Sequence, residues 1–108
     1  MIYLCNTFSV HMLGRLFVGN QREISIKRIS SAEVGDLLKS NAFKSYYGHV
    51  ESVGHLSRYL RIKIPFSRGV VTLKRGDILL IATISSKREW EQGLKPYPTW
   101  RFFRLELI

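Results

Sequence analysis

The residues from 78 to 84 read Ile-Leu-Leu-Ile-Ala-Thr-Ile, a nearly continuous apolar run of strand-forming side chains. A strand that is apolar on both sides must be buried on both faces of its sheet. The first five residues, Met-Ile-Tyr-Leu-Cys, are shorter but have the same character. We therefore predict two central strands in a sheet that is covered above and below, and this constrains the fold more than any other feature.

Two stretches with helical spacing can supply a covering layer. Ser30 and Glu33 form a capping-box pattern, and the helix that it opens should end near Asn41. A second helix is predicted from about His49 to Leu60, with apolar residues recurring on one side. The two apolar stripes comprise Val34, Leu37 and Leu38 in the first helix and Val53, Leu56 and Leu60 in the second.

The remaining strands are shorter or half exposed. Residues 23–29 and 103–107 alternate between apolar and polar side chains, as half-buried strands do. The turn Lys74–Asp77 predicts a hairpin that joins a strand at 70–73 to the central run, and 43–47 is either a short strand or an extended connection. We predict a single domain over residues 1–108, with a mixed sheet of about five strands flanked by two main helices. The class is α/β, with α+β as the alternative.

The chain is strongly basic, with 17 Lys and Arg against 8 Asp and Glu and a formal net charge of +9. Such an excess raises the local concentration of anionic partners and speeds their capture. Nucleic acid, nucleotides and anionic membranes all fit the charge alone, and so does a basic surface without a ligand.

Cys5 is the only cysteine, so the chain cannot form an intrachain disulfide, which fits a reducing cytoplasm. The apolar beginning has no basic segment before it and is interrupted by polar residues, so we do not expect a signal peptide. No run approaches the roughly 18 apolar residues that a membrane helix needs. We expect a cytoplasmic protein that does not span a membrane, in the host cytoplasm if a virus or mobile element encodes it.

No metal or other cofactor is expected. The three histidines have no partner spacing of the HExxH or CxxC kind, and the chain lacks a glycine-rich phosphate loop. It also has no Gly-x-Ser-x-Gly nucleophile motif. Metal-dependent phosphoryl chemistry is therefore disfavoured.

Gly48-His49 precedes the second predicted helix, and this places a histidine where unpaired backbone N–H groups favour anions such as phosphate. A histidine titrates near neutral pH and can transfer protons there. The simpler interpretation is that His49 is a cap or a packing residue.

Metal-free cleavage of RNA would suit such a site. The ribose 2′-hydroxyl attacks its own phosphate, a cationic cradle holds the developing charge, and an acid protonates the leaving 5′-oxygen. Arginine forks match phosphate oxygens, and the candidate cradle residues are Arg68, Lys87 and Arg88. Each of these three, taken alone, is more often an ordinary solvated surface charge.

The polar cluster Asn6-Thr7-Phe8-Ser9 directly follows the first predicted central strand. The end of a central strand is a common place for a ligand site. The alternative is a capped turn that leads into residues 10–16.

These segments, in this order, resemble the small viral ring nucleases, a family of type III anti-CRISPR proteins. Tyr3–Ser9 matches the family's Tyr-Leu-x-Asn-Ala-Phe-Ser, and Tyr47–Ser52 matches its Ile-Gly-His-x-Ser-Thr. The interval from that histidine to a family arginine falls on Arg68 without a gap, and Leu73–Asp77 matches Leu-Lys-x-Gly-Asp. The resemblance extends from Met1 to about Glu91.

The resemblance implies a homodimer that binds cyclic tetra-adenylate at its interface and cuts it to linear di-adenylates without a metal. By matching positions, His49 would be the general acid, Arg88 would contact the scissile phosphate and Glu91 would be the acidic partner. Asn6, Ser9, Ser52, Arg68 and Lys87 would bind or position the ring. A four-fold cyclic nucleotide contains a two-fold axis, which an isologous dimer matches.

This chain departs from the family pattern at two places. Glu51 replaces a neutral hydroxyl residue near the histidine, and Glu89 competes with Glu91 for the acidic role. Two other functions therefore stay open. One is a sponge that binds the cyclic nucleotide without cutting it, and the other is a small basic nucleic-acid-binding protein. Polymeric nucleic acid is the less favoured partner, because the basic residues are spread along the chain rather than clustered.

Overall fold

The chain is built around a five-stranded sheet. A computed structural model describes residues 1–17, 23–85, 87–94 and 99–108, with the backbone alone for 15–17 and 87. The strands are β1 Ile2–Cys5, β2 Ile24–Ile29, β3 Phe43–Ser45, β4 Ile78–Ser85 and β5 Thr99–Leu107. The helices are α1 Ser31–Ser40, α2 Val50–Leu60 and the short α3 Lys87–Glu91, and a 3-10 segment spans Val10–Phe17.

The strand order is β2-β5-β4-β1-β3, with both predicted central strands inside the sheet. β1 pairs in parallel with β4 on one side and with β3 on the other. β5 runs antiparallel to β4, and β2 runs antiparallel to β5. The sheet is therefore mixed, as predicted, and the α+β description fits it.

The two faces of the sheet are covered differently. Ile2 and Leu4 of β1 belong to the cluster that packs under α1 and α2, whereas Cys5 belongs to the cluster on the opposite face. That opposite face is covered by the 3-10 segment and by the irregular stretch 71–73. Buried side chains of the helical face include Val34, Leu38, Val53, Leu56, Leu60, Leu80 and Phe102.

Both main helices begin where the sequence indicates. The Ser30 hydroxyl accepts a hydrogen bond from the backbone N–H of Glu33 at 3.1 Å, as the capping box predicts. α2 has His49 as its N-cap and Arg61 as its C-cap, and Arg61 adopts the left-handed conformation with φ 56°. Within the described ranges, no helix is long and apolar enough to cross a membrane.

The predicted hairpin between 70–73 and β4 is wrong. The turn itself is present: the N–H of Asp77 donates to the Lys74 carbonyl at 3.1 Å, and Gly76 has φ 90°. Residues 70–73, however, form no strand. β4 has only two edges, and β1 and β5 already occupy them, so this stretch instead packs beside the 3-10 segment, where Leu73 N–H donates to the Met12 carbonyl.

Cys5 lies at the end of β1 with 2% of its surface exposed. Burial raises the pKa of its thiol from 9.0 to about 11, against a smaller opposing effect of the hydrogen bond from Sγ to the Thr7 carbonyl at 2.8 Å. The thiolate is the reactive form of cysteine, so a thiol with this pKa reacts slowly at neutral pH.

We expect the folded chain to carry about 100-fold less Cys5 thiolate at pH 8 than the chain unfolded in guanidinium, as two pKa units imply. The rate of iodoacetamide alkylation, followed by mass spectrometry, should reach half its maximum near pH 9 in the unfolded chain and keep rising through pH 11 in the folded chain. Since this is the only cysteine, the signal has one source. A folded-state profile with its half-maximum near pH 9 would contradict the raised pKa.

Candidate functional site

Three of the predicted site segments follow three neighbouring parallel strands. Asn6 follows β1, Gly48-His49 lies shortly after β3, and α3 comes shortly after β4. Because these strands are parallel and adjacent in the order β4-β1-β3, their carboxyl ends lie at one edge of the sheet, about 10 Å across. Ligand sites of sheets with parallel strands lie at this edge.

A cavity of about 350 Å³ lies at the start of α2, and we call it the histidine cavity. It brings together one histidine, one arginine and two carboxylates. Its lining residues are Gly48, His49, Val50, Glu51, Arg68 and Glu91. Side chains from α2, from the 66–70 connection and from α3 thus meet at one point, although they are far apart in the sequence.

The His49 ring caps the helix that it precedes. Its Nδ1 accepts a hydrogen bond from the backbone N–H of Ser52 at 3.3 Å. A nitrogen that accepts this bond carries no hydrogen, so the neutral ring holds its proton on Nε2. Nε2 is then the atom with a proton to donate.

Ser52 is one turn further along α2, as the helical spacing predicts, and its hydroxyl lies 2.8 Å from His49 Nδ1. The side chain is 2% exposed, and Ser52 does not line the histidine cavity as described. A hydroxyl both donates and accepts. It can therefore donate to Nδ1 when the ring is neutral and accept from Nδ1–H when the ring carries both protons.

Arg68 reaches the histidine cavity because a local contact fastens its segment beside the β3–α2 connection. Tyr47 and Phe66 form an isolated parallel bridge, and the N–H of Ser67 donates to the Tyr47 carbonyl at 3.1 Å. Tyr47 is itself anchored, since its hydroxyl donates to the Ala82 carbonyl of β4 at 3.0 Å. The Arg68 guanidinium carbon lies 5.5 Å from the centre of the Phe66 ring, a cation–π distance.

A second cavity, of about 520 Å³, adjoins the first, and we call it the asparagine cavity. Gly48 and Arg68 line both cavities. The predicted ligand-binding residues Asn6 and Ser9 line the asparagine cavity, as do Cys5, Thr7, His11, Met12, Tyr46, Gly69, Val70 and Val71. The backbone N–H of His11 also donates to the Ser9 hydroxyl at 3.4 Å, so the cluster after β1 is at once a turn and a cavity wall.

α3 carries the remaining predicted residues. Glu91 lines the histidine cavity, whereas Glu89, its competitor in the sequence, is not among the lining residues described. Arg88 is exposed one turn before Glu91 and does not line either cavity as described. The side chain of Lys87 lies outside the described part of the structure.

A contact between α2 and α3 holds Glu91 near the cavity. The ring of His55 meets the ring of Trp90 edge to face, with centroids 4.9 Å apart. This agrees with the helical geometry, which turns His55 away from His49. Trp90 is adjacent to Glu91, so the contact fixes the helix that presents the carboxylate.

Sequence reasoning assigned no role to Gly69, which the structure places against Tyr46. A Cβ atom at Gly69 would lie 2.6 Å from Cε1 of the tyrosine ring, closer than real contacts allow. Tyr46 lines the asparagine cavity, so the absence of a side chain at position 69 lets the ring form that wall. The contact joins residues 23 positions apart and leaves no local signal.

The described residues contain no group of three or more His, Cys, Asp or Glu side chains arranged to hold a metal ion. The site as described therefore offers acid–base groups and cations: His49 and Glu91 for proton transfer and Arg68 for an anion.

Comparison with known proteins identifies the family. The family model described as STIV B116-like matches residues 2–95, most of the chain. This chain belongs to the STIV B116-like family. No curated protein sequence matches it.

Among solved structures, B116 of Sulfolobus turreted icosahedral virus matches with a TM-score of 0.70 and 19% sequence identity. The match covers 97% of this chain and 97% of B116. At this identity the likeness shows the fold, which B116 shares across nearly its whole length. The family is named for this viral protein, which supports the prediction of a viral protein.

We expect Ser52→Ala to destabilise the chain by about 1 kcal/mol, because it removes a buried hydrogen bond to His49 while leaving the backbone cap. Urea unfolding measures the change, and nitrogen NMR of the imidazole should show a shifted Nδ1 signal while the neutral ring keeps its proton on Nε2, because the backbone N–H still bonds to Nδ1. Ser40→Ala at the exposed end of α1 is the control and should stay within about 0.5 kcal/mol of the parent. Equal stability and an unchanged imidazole spectrum would show that the hydroxyl does not hold the ring.

Proposed function

We propose that this protein is a metal-independent ring nuclease that binds cyclic tetra-adenylate and cleaves it to linear di-adenylates with 2′,3′-cyclic phosphate ends. The observation that carries the proposal is the shared lining of the histidine cavity by His49, Arg68 and Glu91. These are a proton donor, a phosphate-binding cation and a proton acceptor, brought from three separate segments. The sequence resemblance assigns the same chemistry to His49 and Glu91.

The proposed reaction is an internal transesterification. Glu91 accepts the proton of the ribose 2′-hydroxyl as the 2′-oxygen bonds to phosphorus. His49, carrying both ring protons, donates the one on Nε2 to the 5′-oxygen as its bond to phosphorus breaks. The products are a 2′,3′-cyclic phosphate and a 5′-hydroxyl. Proton exchange with solvent then restores both residues, and no metal or bound water enters the balance.

Cations stabilise the charge that develops on the phosphoryl oxygens. Arg68 lies in the cavity wall, and Arg88 comes from the same short helix as Glu91. In the proposal Arg68 positions the ring, Arg88 contacts the scissile phosphate, and Lys87 adds a further positive charge. Asn6 and Ser9 hold the neighbouring nucleotide in the asparagine cavity. Ser52 orients the His49 ring through its hydroxyl contact with Nδ1.

The proposal places the ring on the two-fold axis of a homodimer. Each protomer then presents one His49 to one of two opposite phosphodiesters, so two cuts give two di-adenylates. Exposed apolar residues at the rim of the site support a second copy: Val50 is 63% exposed and lines the histidine cavity, and Val70 is 80% exposed and lines the asparagine cavity. A partner that covers both would also exclude water from the reacting phosphate.

Cleavage of the ring would remove the second messenger that activates the ancillary effectors of type III CRISPR systems. Such an activity would let a virus or mobile element silence that response in the host cytoplasm.

The second candidate is a sponge that binds the ring without cutting it. The observation that favours it is the presence of two carboxylates, Glu51 and Glu91, in one small cavity. A second negative charge there shifts the balance among the proton-transfer groups, and in this candidate that shift prevents turnover while the cations still hold the ring. A third candidate, binding of polymeric nucleic acid, rests on the net charge of +9 alone.

The decisive assay incubates the protein with cyclic tetra-adenylate and EDTA and resolves the products by chromatography. We expect linear di-adenylate in single-turnover conditions and a rate about 100-fold lower for His49→Ala, the usual contribution of a general acid. His55→Phe is the matched control, because it removes another histidine of α2 while keeping an aromatic ring against Trp90.

Tight binding of an intact ring by the parent protein would select the sponge. A rate that His49→Ala leaves unchanged would remove His49 from the mechanism. Binding of linear RNA with steep salt dependence and no preference for the ring would select the nucleic-acid candidate.

We expect Glu51→Gln to strengthen binding of cyclic tetra-adenylate by roughly 3- to 10-fold, because it removes a negative charge from the wall of the phosphate site. Calorimetric titration in the His49→Ala background measures binding without turnover. Asp36→Asn on the exposed surface of α1 removes the same charge elsewhere and serves as the control. If both variants increase the affinity for cyclic tetra-adenylate equally, the increase comes from the net charge and Glu51 does not face the ligand.

A further inference from the structure

His11 lines the asparagine cavity, and no role has been assigned to its side chain. The chain has three histidines, of which His49 caps α2 and His55 contacts Trp90. His11 instead belongs to the wall of a cavity of about 520 Å³ that adjoins the histidine cavity. Its side chain is exposed, so a ligand in that cavity can reach it.

The 3-10 segment fixes the backbone of His11 at the cavity wall. The Ser9 hydroxyl accepts a hydrogen bond from the His11 N–H at 3.4 Å, and the Ser9 carbonyl accepts one from the Met12 N–H at 2.9 Å. The Met12 carbonyl in turn accepts a hydrogen bond from the Leu73 N–H at 2.6 Å, and Leu13 is fully buried in the core. The backbone on both sides of His11 is therefore held in place.

The imidazole of His11 has no competing partner. Within the part of the chain that the structure describes, it makes no hydrogen bond, ion pair or ring contact. The ring of His49 differs, because its Nδ1 already contacts the N–H and the hydroxyl of Ser52. Both ring nitrogens of His11 are thus available to a ligand, and an imidazole can carry a hydrogen on each of them in the neutral pH range.

The described lining of the asparagine cavity favours anions. It contains two groups that can carry a positive charge, Arg68 and His11, and it contains no Asp or Glu. The histidine cavity differs, because Glu51 and Glu91 belong to its lining. Of the two adjoining cavities, the asparagine cavity is therefore the one in which a phosphate meets no carboxylate among the described lining residues.

Arg68 connects the two cavities. Its side chain passes close to Gly48, where a Cβ atom would lie 3.6 Å from Cγ of the arginine, and its guanidinium carbon lies 5.5 Å from the centre of the Phe66 ring. Both Arg68 and Gly48 line both cavities. A ligand with several phosphates that fills the histidine cavity and extends past Arg68 therefore enters the asparagine cavity.

We propose that His11 binds a phosphodiester in the asparagine cavity together with Arg68, and that its ring takes up a proton from solvent when it does so. The inference rests on the proposed function, since the phosphodiester belongs to cyclic tetra-adenylate. A bound phosphate favours the protonated imidazole, because opposite charges attract. The protonated ring then donates a charge-assisted hydrogen bond to a phosphate oxygen. No covalent bond of the ligand changes in this step.

This coupling makes the affinity for the ring depend on pH. Affinity is highest where the free imidazole is already protonated, and it falls as the pH rises through the range in which the imidazole of the complex loses its proton. Phosphodiesters do not titrate between pH 6 and pH 8. The remaining titratable groups of the described lining are the Cys5 thiol, which burial keeps protonated at neutral pH, and the Tyr46 phenol, which can add only negative charge. We expect binding to be roughly 3- to 10-fold weaker at pH 8 than at pH 6.

The test uses the full chain with His49→Ala, which suppresses turnover and removes the proton exchange of His49. Calorimetric titration with cyclic tetra-adenylate at pH 7, in two buffers of different ionisation enthalpy, measures the protons taken up for each ring that binds. Titrations at pH 6 and pH 8 give the change in Kd. We expect proton uptake on binding, and adding His11→Gln should abolish both the uptake and the dependence of Kd on pH.

Two further variants in the His49→Ala background serve as controls. His55→Phe removes the other remaining histidine and keeps an aromatic ring against Trp90, so the proton uptake should persist. His11→Lys replaces the imidazole by a permanent positive charge, so it should bind the ring at pH 8 as tightly as at pH 6 and take up no proton. Circular dichroism at both pH values confirms that each variant is folded.

Proton uptake that His11→Gln leaves unchanged would overturn the proposal, and so would equal affinity at pH 6 and pH 8 in the His49→Ala background. If the parent protein still cleaves the ring in that case, the ring-nuclease function stands without this role for His11. Proton-linked binding without any cleavage by the parent protein would support the role of His11 and select the sponge. A ring that is neither bound nor cut would overturn the proposed function and this inference together.

Discussion

The parallel pairing of β1 with both β3 and β4 is the constraint on which the rest of the structure depends. It buries β1 on both edges and both faces, and it turns the carboxyl ends of three adjacent strands to one side of the sheet. Asn6, His49 and α3 follow these strands at that edge. The cluster after β1 lines the asparagine cavity, and the start of α2 and the helix after β4 line the histidine cavity, so strand direction places both cavities at this edge.

Features that depend on neighbouring residues could be predicted from the sequence. Residues three or four positions apart indicate the capping box at Ser30 and the helix start at His49. The structure has Ser30 and His49 as the N-caps of α1 and α2. The central position of β1 and β4 follows from their apolar composition. Residues 70–73 show the limit of such predictions. Their composition is typical of a strand, but they form none beside β4 because β1 and β5 occupy both of its edges. The contact of Gly69 with Tyr46 and the approach of Arg68 to Gly48 likewise depend on the bridge between Tyr47 and Phe66, which no local pattern indicates.

The positions of the charged residues matter more for this site than the net charge of the chain. The chain has an excess of nine positive charges, yet the histidine cavity is lined by Glu51 and Glu91 as well as by Arg68. A site that had only to hold phosphate would gain from arginines alone. The combination of carboxylate, imidazole and guanidinium instead suits the proton transfers of the proposed reaction, in which Glu51 is an added negative charge in the wall.

The unequal covering of the two faces has a consequence for how the molecule opens. On one side the core is closed by α1 and α2, whose backbone groups bond within each helix. On the other side the 3-10 segment and residues 71–73 cover the core. Isolated hydrogen bonds hold them, such as the one that the Leu73 N–H donates to the Met12 carbonyl. Segments with few regular hydrogen bonds open locally at lower free-energy cost than helices packed on a sheet. The asparagine cavity is built largely from the loosely bonded side, whereas His49 caps a packed helix. Local opening therefore moves one wall of the site while His49 on the other wall keeps its position.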